Sequence, residues 1–291
     1  MIKKSDIDSG IKFFNIDNKY KEKCYECADF LNADSRFLKS FQDVYDFLNY
    51  GNINNLKKIW EIEDISDLFI KEIPPFATNL MVVLGYEKCR ENMDKAQLDT
   101  KIADTHIKRI KTIFENDADI ALHGGILFTQ MSWAYYFIRM RIIEAGRLQY
   151  ENFDGKLIKI HIPSSVPSGE KLTVEAVRKS YLESKALTEN VFGFFDPDYL
   201  CESWLLSKQV VSDFDKETNL YKFYSLFDVS EGEDCLKDVL HYVFPGMEKE
   251  NYKNLPEKTT LQKVVKEKLI NGTTFKLGMG KLIKEKIINN N

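Results

Sequence analysis

GRLQYENFDGKLIKIHIPSS, residues 146–165, is where the apolar pattern of this chain changes period. Upstream of it apolar residues recur at spacings of three and four; from here on they alternate. Two arms, RLQYEN and LIKIHIP, flank Phe153-Asp154-Gly155, and so predict a β-hairpin. A two-residue Asp-Gly turn would set Gln149 against Ile160 and Leu148 against His161, mixing polar and apolar residues on both faces. A three-residue loop ending in a left-handed Gly155 sets Arg147 against His161, Gln149 against Lys159, Leu148 against Ile160 and Tyr150 against Ile158. That register leaves one face apolar and the other polar, with Leu157 opposite Glu151 as the exception. It is the register we expect. The polar row of Arg147, Gln149, Glu151 and His161 then has two readings. Either it is the solvated side of an antiparallel sheet, or it lines a cleft. In a cleft, Arg, Gln, Glu and His together bind an anion, position an amide and move a proton.

Upstream, residues 1–143 read as helices. Phe37, Phe41, Tyr45 and Leu48 form one stripe, closed by Gly51, and Pro74-Pro75 breaks the next segment. Ile102, His106, Ile110 and Phe114 share a face at four-residue spacing, which makes His106 a partly buried, satisfied histidine. His123-Gly124-Gly125 is read as a flexible start to a last helix, ILFTQMSWAYYFIRMRIIEAG. It is too short for an oxyanion loop, because no serine elbow accompanies it. The period change places a domain boundary near Glu144, with a helical domain at 1–143 and an α/β domain at 144–291. In the second half we expect strands at 147–152, 157–162, 199–206, 219–227 and 273–278, and helices at 173–191, 234–244 and 260–270. The fold class is therefore α+β, helices first and a mixed, mostly antiparallel sheet flanked by helices after them.

Composition narrows the function classes. The 291 residues are 44% hydrophobic and 30% charged, with 20 Phe and 14 Tyr to fill a core. A net charge of −4 implies no basic face, so nucleic acid is not an expected partner. No apolar run reaches the roughly 18 residues of a membrane span, and MIKKSDIDSG lacks the apolar core of a signal peptide. A cytoplasmic location is the expectation. Five cysteines, an odd number, argue against a disulfide framework. Cys24 and Cys27 form a lone CxxC on a helical pattern. A structural zinc site wants four ligands, and no second pair follows at useful spacing, so no metal is expected.

Between the hairpin and the next helix lies SSVPSGEKL, and then TVEAVRKSYLESKAL. A strand, a Gly-bearing loop and a helix start make a phosphate cradle, because the first helical N–H groups lack intrahelical partners. Thr173 is the N-cap, while Lys171 and Arg178 add positive charge. Glu170 and Glu175 work against an anion there, since they satisfy the helix dipole themselves.

GRLQYE, IHIPSSVPSGEKLTVEAVRKS, CESWLLS, ETNLYKFYSLFDV and LPEKTTLQKVVKEKLINGTTFKLGMGK together resemble a bacterial family of acyltransferase-domain proteins. In that family a helical N-acyltransferase domain precedes a GNAT-like C-terminal domain. The resemblance covers about residues 144–280, with WAYYFIRMRIIEAGRLQYE at the junction. It implies that acetyl-CoA or another acyl-CoA is co-substrate. It further implies that two central strands part to hold the pantetheine arm, and that the following loop holds the pyrophosphate. Those strands would be KIHIP and YLCESWLLS, and the loop SSVPSGEKL, with Ser168, Gly169, Lys171 and Thr173 toward the cofactor beside Arg147 and Gln149. The loop departs from the family's glycine-rich pattern, having Gly169 alone, and Glu202 stands where the family tends to have histidine. For acyl transfer the base candidates are Glu202, Glu151 and His161, and the proton donors Cys201 or Ser203, with Tyr199 behind them. Alternation in CESWLLS puts Glu202 and Trp204 on one face and Cys201 and Ser203 on the other. Core packing is the simpler role for Trp204 and Cys201.

Three functions compete. One is an acyltransferase moving an acetyl or similar group from CoA to a small amine. Another is a non-catalytic ligand-binding or regulatory protein on the same frame. The third is an interaction module whose aromatic-rich helices recruit a partner.

Overall fold

Short polar side chains at helix starts set most of the element boundaries. Asp34, Asp99, Asn116, Thr173, Thr218 and Thr259 each accept a hydrogen bond from a backbone N–H of the first helical turn they precede. A computed structural model describes residues 1–52, 71–164, 166, 169–193, 195–247 and 251–288. They fall into two compact units, Met1–Glu144 and Ala145–Asn291.

The first unit holds helices α1 (Lys4–Phe14), α2 (Lys21–Ala33), α3 (Ser35–Tyr50), α4 (Ala77–Leu84), α5 (Tyr86–Lys95), α6 (Thr100–Phe114), α7 (Asp117–His123) and α8 (Phe128–Ile138). Helix α4 is buried on every side from Ala77 to Val83. Its two polar residues are satisfied there: Asn79 donates to the Phe114 carbonyl and accepts from Ile126 N–H, and Thr78 donates to the Ile126 carbonyl. Cys24 and Cys27 lie inside α2, and burial pushes both thiols up to about 12, so neither is a thiolate near neutrality.

The His-Gly-Gly stretch closes α7 instead of opening α8. Gly124 takes the left-handed conformation (φ 80°) that ends a helix, and α8 begins only at Phe128. Helix α8 then stops at Ile138, earlier than its apolar run suggests. Met140 is left-handed (φ 56°), and strand β1 (Ile142–Ala145) follows.

The second unit continues with β2 (Leu148–Asn152), β3 (Leu157–His161), α9 (Val174–Leu187), β4 (Asp198–Ser203), α10 (Lys208–Val211), α11 (Asn219–Tyr224), β5 (Phe227–Asp234), α12 (Leu236–Val243), α13 (Thr260–Ile270), β6 (Lys276–Leu282) and α14 (Lys284–Ile288). The six strands form one sheet in the order β1-β2-β3-β4-β6-β5. Pairing is antiparallel for β2–β3, β4–β6 and β5–β6, and parallel for β3–β4.

Three expected strands differ from the structure. Residues 219–224 are helical because Thr218 caps them, and the strand starts only at Phe227. Strand β4 ends at Ser203, whose hydroxyl accepts from Leu205 N–H and turns Trp204–Leu206 into a 3-10 helix. Strand β6 lies three or four residues later than expected. Its Gly278 is required there, because a Cβ would stand 2.1 Å from the Leu206 carbonyl oxygen.

The hairpin register also differs, by two residues. Gln149 faces His161, Tyr150 faces Ile160 and Glu151 faces Lys159. The cause is side-chain hydrogen bonding in the turn. Asn152 accepts from Gly155 N–H, and Asp154 accepts from both Lys156 and Leu157 N–H. The loop is therefore Asp154-Gly155-Lys156, with Gly155 (φ 85°) at its centre. An even shift keeps every residue on its face, so Arg147, Gln149, Glu151, Lys159 and His161 still share one face.

The other face is fastened to α9 through one hydroxyl. Ser180 donates to the Ala145 carbonyl, accepts from Leu148 N–H at 3.1 Å and meets the Tyr150 hydroxyl at 3.0 Å. Tyr150, Tyr181 and Tyr199 pack edge to face beneath it. A second apolar cluster, with Val239, Val243, Val265, Leu269 and Phe275, joins α12 and α13 to the end of the sheet.

His106 is fully buried on α6 and its Nε2–H donates to the Phe137 carbonyl at 2.8 Å. Burial lowers its pKa from 6.5 to about 4, against the small opposing effect of that hydrogen bond. Between those values the unfolded chain binds the extra proton, so this contribution is present above pH 6.5 and is lost as pH falls toward 4. The loss is on the order of 3 kcal/mol. Urea denaturation at pH 7 and pH 4.5 will show a larger acid-induced fall in stability for the wild type than for His106→Gln. Equal falls in both would contradict this account.

Candidate functional site

The β3–β4 ladder is short. It pairs Leu157 with Asp198, Ile158 with Tyr199 and Lys159 with Leu200, and there it ends. Yet β3 runs on to His161 and β4 to Ser203. Each strand stays attached on its other side: Ile160 still faces Tyr150 of β2, and Cys201, Glu202 and Ser203 still face Gly280, Met279 and Gly278 of β6. The two strands therefore part after Lys159 and Leu200.

Alternation tells which backbone groups face the opening. The Phe153 N–H to Leu157 carbonyl bond fixes the phase of the β2–β3 ladder. Hydrogen-bonded pairs then recur at Glu151–Lys159 and Gln149–His161, so the N–H and C=O of Ile158 and Ile160 point toward β4. In the parallel ladder Ile158 engages the residues flanking Tyr199, so Asp198, Leu200 and Glu202 point toward β3. Glu202 lies beyond the last pair. Its backbone N–H and the Ile160 carbonyl face the opening without a ladder partner.

The polar face carries four titratable side chains at this place. His161 Nε2 lies 2.7 Å from Glu151 Oε2. Lys159 Nζ lies 3.0 Å from Glu202 Oε2, so this ion pair ties β3 to β4 where their backbones separate. The Lys159 ammonium also sits 3.9 Å from the centre of the Phe153 ring. Arg147, Gln149 and Glu151 are each less than 9% exposed, so this stretch of the polar row is not a solvated sheet face. Arg147 donates from a terminal nitrogen to the Pro163 carbonyl at 2.9 Å, joining the start of β2 to the loop after β3.

Cys201 lies on the opposite face of the sheet from Glu151, His161 and Glu202. It is buried, and burial pushes its thiol above the ordinary range. Tyr199 shares that face and packs against Tyr150 and Tyr181. Trp204 stacks on Tyr242 at 6.0 Å.

The loop holds Gly169 left-handed (φ 70°), its N–H donating to the Val166 carbonyl, and leaves Lys171 exposed. Ser168 lies outside the described residues. Thr173 spends its hydroxyl on Ala176 N–H. The Glu175 carboxyl is held below its usual range by a backbone N–H and by Thr173.

Beside this helix start runs a cleft of about 670 Å³ between α9 and α11, lined by Val174, Leu182 and Leu226 with the cations Arg178, Lys179 and Lys222 and the carboxylates Glu175 and Glu183. Sequence reasoning named Arg178 but missed Lys179 and Lys222. The α11 segment was read as a strand, which hid its place beside α9.

Comparison with known proteins now adds a family. Residues 142–282 match the family model described as GNAT-like C-terminal domain. The second half of this chain has a GNAT-like α+β fold. Solved structures resemble the chain over nearly its whole length. An acyltransferase mutant in complex with octanoyl-CoA shares 12% identity at a TM-score of 0.69, covering 96% of this chain and 88% of that one. An acyltransferase in complex with decanoyl-CoA shares 13% at 0.63, covering 95% and 98%. An acyltransferase in complex with CoA and 10C-teicoplanin shares 13% at 0.65, covering 94% and 86%. At such identities the likeness establishes the fold. No curated protein matches the sequence.

Within the GNAT-like domain the Lys159–Glu202 pair is partly solvated, with side chains 18% and 32% exposed. A double-mutant cycle with Lys159→Met and Glu202→Gln will give a coupling of about 1 kcal/mol or less that shrinks as salt rises. A coupling of about 3 kcal/mol, insensitive to salt, would show a pair shielded from water.

Proposed function

We propose that this protein transfers an acyl group from acyl-CoA, of which acetyl-CoA is the simplest, to a small amine acceptor. The observation that carries the reading is the parted β3–β4 ladder, which leaves the Glu202 N–H and the Ile160 carbonyl facing a slot. An extended amide-bearing chain such as pantetheine offers matching donors and acceptors. The same N–H suits the oxyanion that develops when an amine adds to the thioester carbonyl. The loop after β3, with Gly169 and Lys171, and the first turn of α9 would face the pyrophosphate. The adjoining cleft sets Arg178, Lys179 and Lys222 against Glu175 and Glu183, which leaves only a small excess of positive charge there. The solved acyltransferases of this fold are described with octanoyl-CoA, decanoyl-CoA and CoA bound, which supports the class of donor.

A second reading has its own observation. The loop has one glycine, and Glu170 and Glu175 stand beside the helix start where an anion would bind. On that reading the protein binds a ligand on this frame without turning it over.

Isothermal titration with CoA, acetyl-CoA and octanoyl-CoA separates the alternatives from a protein that does not use CoA. Binding in the micromolar range is expected for at least one of the three. Absence of heat at high micromolar ligand for all three would remove the acyl-transfer reading. Binding without thiol release, across a panel of primary amines, would favour the non-catalytic one.

A further inference from the structure

Three base candidates, Glu151, His161 and Glu202, are left open by the sequence, and the geometry separates them. Glu202 is engaged by Lys159 at 3.0 Å, and Lys159 is itself seated on the Phe153 ring. Glu151 is buried, its side chain 8% exposed, with an oxygen 2.7 Å from His161 Nε2. His161 is the more accessible partner, its side chain 30% exposed. It stands on the polar face at the last residue of β3, beyond the final ladder pair. Continuing the parallel register sets it level with Glu202, across the mouth of the slot.

We propose that His161 is the group that takes the acceptor's proton, and that Glu151 is its positioning residue; this rests on the acyl-transfer reading. Glu151 accepts the Nε2–H of the neutral ring, which selects the tautomer with its lone pair on Nδ1. The acceptor nitrogen adds to the thioester carbonyl carbon, and its proton passes to Nδ1. The C–S bond then breaks, the thiolate leaves with the electron pair, and the imidazolium returns the proton to sulfur. The products are an amide and the CoA thiol, and nothing is oxidised or reduced. Glu151 stabilises the transient imidazolium by its charge, as a carboxylate oriented on a histidine does in other general-base sites. Glu202 contributes its backbone to the slot and its side chain to Lys159.

Thiol release from octanoyl-CoA and acetyl-CoA, with water and with benzylamine as acceptors, tests this in the full chain. Calorimetry of the same samples reports donor binding. His161→Gln will lower release at least about 100-fold, with the donor Kd within threefold of wild type. Glu151→Gln will lower kcat at least about tenfold with the donor Kd within threefold of wild type, and Glu151→Asp, which keeps the carboxylate, will recover part of that loss. A purely structural Glu151 would weaken donor binding along with the rate and show no recovery in Glu151→Asp. Arg147 and Lys159 share this face and remain in all of these variants. Glu202→Gln will lower release by less than tenfold, well short of the His161→Gln loss.

The inference is overturned if His161→Gln keeps the wild-type rate, or if Glu202→Gln is the variant that loses it. It is also overturned if the wild type binds donor yet releases no thiol with either acceptor. A wild type that binds no donor removes the acyl-transfer reading itself, which calorimetry detects independently of rate.

Discussion

The ladder between β3 and β4 stops at Lys159 and Leu200, and the site depends on that stop. Backbone groups that end without partners cost roughly 1–3 kcal/mol each when buried. A sheet accepts that cost only where other ladders hold the strands in place. Here β2 holds β3 as far as His161, and β6 holds β4 through Ser203. The glycines of β6 belong to the same arrangement. A side chain at Gly278 would strike the Leu206 carbonyl, so the turn that ends β4 packs against β6 only because Gly278 is bare.

Charge placement follows from the same divergence. Where the backbones stop bonding, Lys159 and Glu202 still bridge the strands through their side chains. One strand further in, Glu151 is shielded from water and meets His161. Two carboxylates on one face thus have different partners, an ammonium and an imidazole. Different partners give chemically similar groups different tasks. The apolar face has the opposite character: Tyr150, Tyr199 and Cys201 are buried there, and Ser180 ties α9 to the first hairpin strand.

Much of this was legible in the sequence. The faces of the hairpin follow from period-two alternation, which survives a register error of two residues. The error came from Asn152 and Asp154, whose side chains take over the turn's hydrogen bonds; a count of loop residues does not reveal that. Residues 219–224 were misread because LYKFY satisfies both periods, and Thr218 as a cap decides for helix. The early end of α8 turns on a left-handed Met140, a conformation uncommon for that residue and unmarked in the sequence. Most of the site was hidden because it is non-local. Glu151 and His161 were named separately, but their contact needs the correct register. Glu202 was named as a base, but Lys159 reaches it only through the parallel pairing of strands about forty residues apart in the chain.

Amide hydrogen exchange resolved to single residues across β3 and β4 addresses the central claim most directly. In the unliganded protein the Glu202 amide will exchange much faster than the Leu200 amide, and saturating CoA or acyl-CoA will slow it at least about tenfold. Slow exchange at Glu202 without ligand, or no change there under conditions where calorimetry shows the ligand bound, would contradict a slot opened by the parting of these two strands.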